Sequence, residues 1–172
     1  VSTSPPVTVI GVGNPYRHDD AAGLVVLEKL RQRFGDDSRV KMVDLDGEPV
    51  RLIQSWTGSH TVIIVDAVRS LRPAGTIHRL RADGVTAAEA TGMSLGGGHL
   101  LGLGEAVDLA RALDELPDEL VVYGIEGADF RLGEGLSVAV AAACDMVAGE
   151  LAGQLSELLS RSAAAAPPMA CR

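Results

Sequence analysis

The chain has 172 residues, 47% of them hydrophobic, and 15 basic against 23 acidic side chains give a formal charge of −8. This length suits one domain with a substantial core, and the acidic balance argues against an electrostatic grip on nucleic acid. Two distant cysteines, Cys144 and Cys171, exclude a disulfide framework and a CxxC site. No uninterrupted apolar run reaches the ~18 residues of a membrane span. The opening VSTSPP has neither a basic nor an apolar signal region, so a cytoplasmic protein without membrane or nucleic-acid partners is the expectation.

A β-branched run at 7–12 predicts a first strand buried on both faces. A helix is expected over 20–34, with Leu24, Leu27, Leu30 and Phe34 as its apolar stripe and Asp19 or Asp20 capping its first turn. Residues 40–45 read as a second strand. Residues 48–56 read as a short helix, with Leu52, Ile53 and Trp56 toward the sheet. A third strand is predicted at 61–65 and a fourth at 75–80. The weakly patterned 81–98 is expected to be a flexible loop. A helix follows at 103–116, carrying Val107, Ala110 and Leu113 and ended by Pro117. A strand at 119–125 and a last helix at 136–159 complete the pattern. Val140, Cys144, Val147, Leu151, Leu155 and Leu158 mark the core side of that helix.

Alternating strands and helices predict an α/β fold: a three-layer single domain, phosphorylase/hydrolase-like, with a mostly parallel central sheet flanked by helices. The domain is expected over 7–160, with a disordered tail at 161–172. Ligands of such sheets bind beyond the carboxyl ends of the strands. Asp20 follows the first strand and Asp66 closes the third apolar run, so both meet that rule. His99 follows three glycines and opens an apolar segment. Two carboxylates and an imidazole suit a borderline divalent ion such as Ni²⁺ or Zn²⁺. Ordinary roles compete at each position: capping at Asp19 and Asp20, backbone hydrogen bonding at Asp66, a turn at Asn14-Pro15. His18 fits the mouth of a cleft, while His60 and His78 read as surface or sheet residues.

Several chemistries are absent. The Gly11-x-Gly13 pair lacks the third glycine of a dinucleotide fingerprint, and no GxxxxGK[ST], GxSxG or HExxH occurs. Ser94 near His99 is a serine–base pair in form only.

The segments GVGNPYRHDDAAG at 11–23, VDLDGEP at 43–49, VIIVDAV at 62–68, HLLGLGEAVDLARAL at 99–113 and VVYGIEG at 121–127 fit one family in order and spacing. In them the chain resembles the hydrogenase maturation endopeptidases, over about residues 7–159. The resemblance implies an aspartic-type peptidase that removes the C-terminal extension of a nickel-loaded nickel–iron hydrogenase large-subunit precursor. It implies that Asp20, Asp66 and His99 hold nickel, that the nickel arrives with the precursor, and that no resident cofactor is needed. Asp20 is expected to act most directly in the chemistry and Asp66 next, while Asn14, Gly47 and His99 serve substrate recognition. Many relatives carry a glycine- and threonine-rich motif after the second strand. This chain has Asp46-Gly47-Glu48-Pro49 there, which implies a different hydrogenase partner. A peptidyl-tRNA hydrolase is the alternative enzyme, and a non-cutting escort of the loaded precursor the alternative outside enzymes.

Overall fold

In the computed structural model, residues 7–81 and 99–164 are described, the side chains of 99–102 and 162–164 excepted. The strands are β1 (Val7–Val12), β2 (Val40–Leu45), β3 (Thr61–Val68), β4 (Ile77–Arg81) and β5 (Glu119–Glu126). The helices are α1 (Ala22–Phe34), α2 (Pro49–Trp56), α3 (His99–Ala112) and α4 (Val138–Ala164), and a 3-10 turn spans His18–Ala21. The strands form one sheet in the order β2-β1-β3-β5-β4. β1, β2, β3 and β5 are parallel, and β4 runs antiparallel along β5 at the edge. This is the predicted α/β architecture with a mostly parallel sheet.

The three layers follow from strand alternation. Val7, Val9, Ile63, Val65, Val121 and Tyr123 pack on one face with α1 and α4. Ile10, Val12, Val62, Ile64, Leu120 and Val122 pack on the other with α2 and α3. β3 is buried at every position, which requires side chains that are apolar toward both layers.

The main differences from expectation lie at element ends. The α1 helix starts at Ala22, after the 3-10 turn, so its buried face holds Ala22, Val26, Leu27, Leu30 and Phe34 while Leu24 turns to its flank. β3 runs three residues past its predicted end, because Asp66, Ala67 and Val68 continue in register with Gly124, Ile125 and Glu126. β4 occupies 77–81 rather than 75–80, since Gly75 with φ +82 still belongs to the turn. α3 stops at Ala112 rather than at Leu116, where Asp114 turns left-handed at φ 59 and Glu115 N–H bonds back to Ala110 O. Leu113, predicted for its inner face, is therefore exposed. α4 continues to Ala164 and takes in residues 161–164, where the sequence predicts the tail. The predicted loop beyond Arg81, with Ser94 and the glycines before His99, lies outside the described residues, as does the tail from 165.

By length and composition α4 is apolar enough to cross a membrane. Val140, Cys144, Val147, Leu151 and Leu155 on it are buried in the core against the sheet and α1. Its apolarity is that of a core helix.

Candidate functional site

The site is built where β1 and β3 end. The N-terminus of α1 presses directly onto these two strands: a Cβ on Gly23 would lie 2.2 Å from Val65 O and 2.4 Å from Val12 O. Any larger residue would lift the helix off the sheet. Because this contact is so close, the 3-10 turn just before it packs against β3. Asp20, in the turn, is 3% exposed, and Asp66, inside β3, is 1% exposed. By alternation Asp66 shares a face with Val62, Ile64 and Val68, the face covered by α2 and α3. His99 is the first residue of α3, and its side chain lies outside the described residues.

Asp19 has no capping role. It is fully buried and reaches across to the β5–α4 connection. One carboxylate oxygen accepts from the Ala128 and Asp129 N–H groups at 2.8 and 2.9 Å, and the other from Ser137 N–H at 2.6 Å. The neighbouring backbone adds Asp19 N–H to Asp129 O, His18 N–H to Gly133 O and Gly133 N–H to Tyr16 O. His18 holds a left-handed φ of 47, with its Nδ1 3.1 Å from Gly135 O. The loop bearing Asp20 is thereby tied to the loop after β5. The adjacent acids read as a helix cap because a cap is local, whereas these partners lie more than a hundred residues away.

Asn14 shapes the same loop. Its Oδ1 accepts from Tyr16 N–H at 3.0 Å, an Asx turn, and its carbonyl accepts from Arg17 N–H. Gly47 is buried with φ +83, a left-handed conformation that favours glycine. Beyond it Glu48 caps α2, accepting from Val50 and Arg51 N–H at 3.0 and 2.9 Å, and Pro49 takes the first helical position. The Glu-Pro pair thus has a local structural role. A cavity of about 520 Å3 lies beside these loops, with Gly13, Pro15, Leu24, Asp44, Asp46 and Arg51 in its walls.

A second buried acid, Glu126, closes β5 as Asp66 nearly closes β3. Ser70 donates to it from N–H at 2.6 Å and from its hydroxyl at 2.8 Å, and His78 Nε2 lies 3.2 Å away. Burial pushes its pKa up, but the donors from Ser70 and His78 outweigh this and hold it below the ordinary value of 4.5. Its sequence signal was the one that singled out Asp66: an acid ending an apolar run. His78 is accordingly a half-buried partner of Glu126, while His60 is exposed and pairs with Asp118. Among the described residues, no three His, Cys, Asp or Glu side chains form a group able to hold a metal. The expected triad is represented there by Asp20 and Asp66 alone.

The family model described as HycI, hydrogenase maturation protease, matches residues 24–154. The Hydrogenase 2 maturation protease of Escherichia coli K12 is 31% identical over 120 residues, covering 69% of this chain and 71% of that protein. The hydrogenase expression/formation protein HupD of Thiocapsa roseopersicina is 28% identical over 125 residues, covering 72% of this chain. The chain spans 55% of the length of that HupD. The hydrogenase maturating endopeptidase HybD from E. coli superposes with a TM-score of 0.77 at 27% identity, over 88% of this chain and 92% of that one. HybD from Thermococcus kodakarensis gives 0.69 at 25% identity, over 87% and 97%. With a matching family model over most of its length and a shared fold, the chain belongs to the hydrogenase maturation protease family.

Proposed function

We propose that the protein is an endopeptidase that removes the C-terminal extension of a nickel-loaded nickel–iron hydrogenase large-subunit precursor. One observation carries this beyond family membership: two acids, Asp20 and Asp66, are buried on elements packed together where β1 and β3 end. In this reading nickel is part of the substrate. Asp20, Asp66 and His99 take the exposed side of the ion and set the precursor's register. Burial strengthens the interaction of both carboxylates with a docked cation, because little water screens it. Asp20 is closest to the chemistry and Asp66 second, orienting a water whose attack on the scissile carbonyl splits the peptide bond; the proton leaves with the amine. Nickel ligation and an aspartic-type mechanism are parts of this proposal. Asn14 and Gly47 fix the loops that border the precursor. The proposed compartment is the cytoplasm, in keeping with a free, buried Cys144 thiol.

The test is intact-mass analysis of large-subunit precursor incubated with the protein, with and without nickel. Loss of a C-terminal peptide from the nickel-loaded form alone is the expected result. Asp20→Asn, Asp66→Asn and His99→Ala should each lose both nickel-dependent binding and at least about a hundredfold in cleavage rate. Full cleavage by Asp66→Asn would sink the shared-site reading. Binding of loaded precursor by the parent protein with no change in mass would replace the protease by an escort.

A further inference from the structure

A second pocket, of about 510 Å3, is lined by Arg17, Arg69, Ala128, Asp129, Phe130 and Arg131. Its walls follow the carboxyl ends of β1, β3 and β5, the same sheet edge that carries Asp20 and Asp66. Arg17 and Arg69 each stand three residues along the chain from one of those acids.

The three arginines are not equivalent. Asp129 engages Arg131 with both oxygens, at 2.9 Å to Nε and 2.6 Å to an Nη, which uses up the acid of the pocket. That fork holds the Asp129 carboxyl well below its usual range, so it stays ionised and committed to Arg131. Arg69 instead stacks on Phe130, its guanidinium carbon 5.0 Å from the ring centroid. Among the described residues neither Arg17 nor Arg69 forms an ion pair. In a chain of charge −8, most surface arginines described here have found a carboxylate, and two that have not face one pocket.

The pocket is also fixed in shape. Phe130 is 6% exposed, and Asp19 holds the backbone of Ala128 and Asp129 from below. Stacking on a fixed ring lowers the entropy that Arg69 loses on engaging a ligand. Two unpaired guanidiniums on a rigid floor suit a carboxylate, and the surrounding negative field disfavours acidic groups elsewhere on the surface.

We propose that Arg17 and Arg69 form a carboxylate-binding subsite that grips an acidic group of the precursor's C-terminal region and so sets its register over Asp20 and Asp66. This rests on the endopeptidase reading for the identity of the ligand. The substrate class becomes precursors with an acidic side chain, or the terminal carboxylate, within reach of this edge.

The experiment compares the parent protein with Arg17→Gln/Arg69→Gln and Arg17→Lys/Arg69→Lys, reading precursor binding and precursor mass separately on the nickel-loaded large-subunit precursor. The glutamine pair should raise KM and the dissociation constant about tenfold, the effect of roughly one charge-assisted contact. The loss should fall on KM rather than kcat, shrink at high salt, and be partly recovered by the lysine pair. Precursors with the extension's Asp and Glu neutralised, or ending in an amide, identify the acidic group: the responsible change removes the difference between parent and glutamine pair. Equal binding and equal KM for parent and glutamine pair would overturn the subsite while leaving the protease intact. Binding by the parent without cleavage, still weakened in the glutamine pair, would overturn the protease and retain the subsite. A loss unaffected by salt and by every precursor change would also overturn it.

Discussion

Asp19 illustrates how much one carboxylate can hold. Three backbone N–H groups from the β5–α4 connection converge on it, so replacement by alanine leaves buried donors without an acceptor. Asp19→Ala should cost about 3 kcal/mol, seen as a Tm lower by roughly 10 °C in a calorimetric scan. An unchanged Tm would show that the two loops are held by other contacts. Cys144 makes the opposite point, a side chain whose chemistry is switched off by its place. Burial, reinforced by the nearby Asp145, pushes its thiol up to about 12. At pH 8 the thiolate fraction is then about 10⁻⁴. In a Cys171→Ser background, the native protein should give no reaction with a disulfide reagent, and one full equivalent once urea unfolds it. Asp66 and Cys144 were readable as buried from their apolar surroundings in the sequence. Asp19 was not, because its partners meet it only through the tertiary fold and an acid before a helix has a sufficient local explanation.

At the scale of elements, strand and helix identities follow periodicity, and their ends follow tertiary partners. β3 outlasts its apolar run because β5 offers matching backbone groups as far as Glu126, so a carboxylate is carried inside the strand. The departure at Asp46-Gly47-Glu48-Pro49 is accounted for by α2, an eight-residue helix that needs its cap. Glu48→Ala should destabilise the protein by about 1 kcal/mol, visible as a shifted urea midpoint with unchanged slope. Glu126 does the corresponding work between strands, tying the turn after β3 to the end of β5 and to His78 on β4. Its folded pKa is depressed, so its contribution is present above the unfolded value and fades as pH falls through the folded one. Below about pH 4.5 the parent should therefore lose stability more steeply than Glu126→Gln, in urea titrations at pH 7, 5, 4 and 3. Parallel pH profiles would remove Glu126 from the acid response.

For the whole molecule, what positions the candidate site is the sheet order. β3 and β4 follow one another in sequence, yet β5 lies between them and pairs with both. The central gap is thus filled by a strand more than fifty residues further along the chain, and the loop after that strand is what Asp19 grips. A nascent chain emerging from a ribosome can form β1, β2 and α1 early, but β3 keeps an open edge until β5 has been made. Asp66 on that strand then has an unfilled neighbour, and the turn bearing Asp20 has nothing to clasp. A chain truncated after residue 117 should show neither a cooperative urea-unfolding transition nor affinity for a nickel-loaded precursor. The order of synthesis therefore acts as a timer: the edge that carries Asp20 and Asp66 is assembled only once β5 and the loop after it have been made, and a copy that stops short of them lacks the surface that the proposed activity requires.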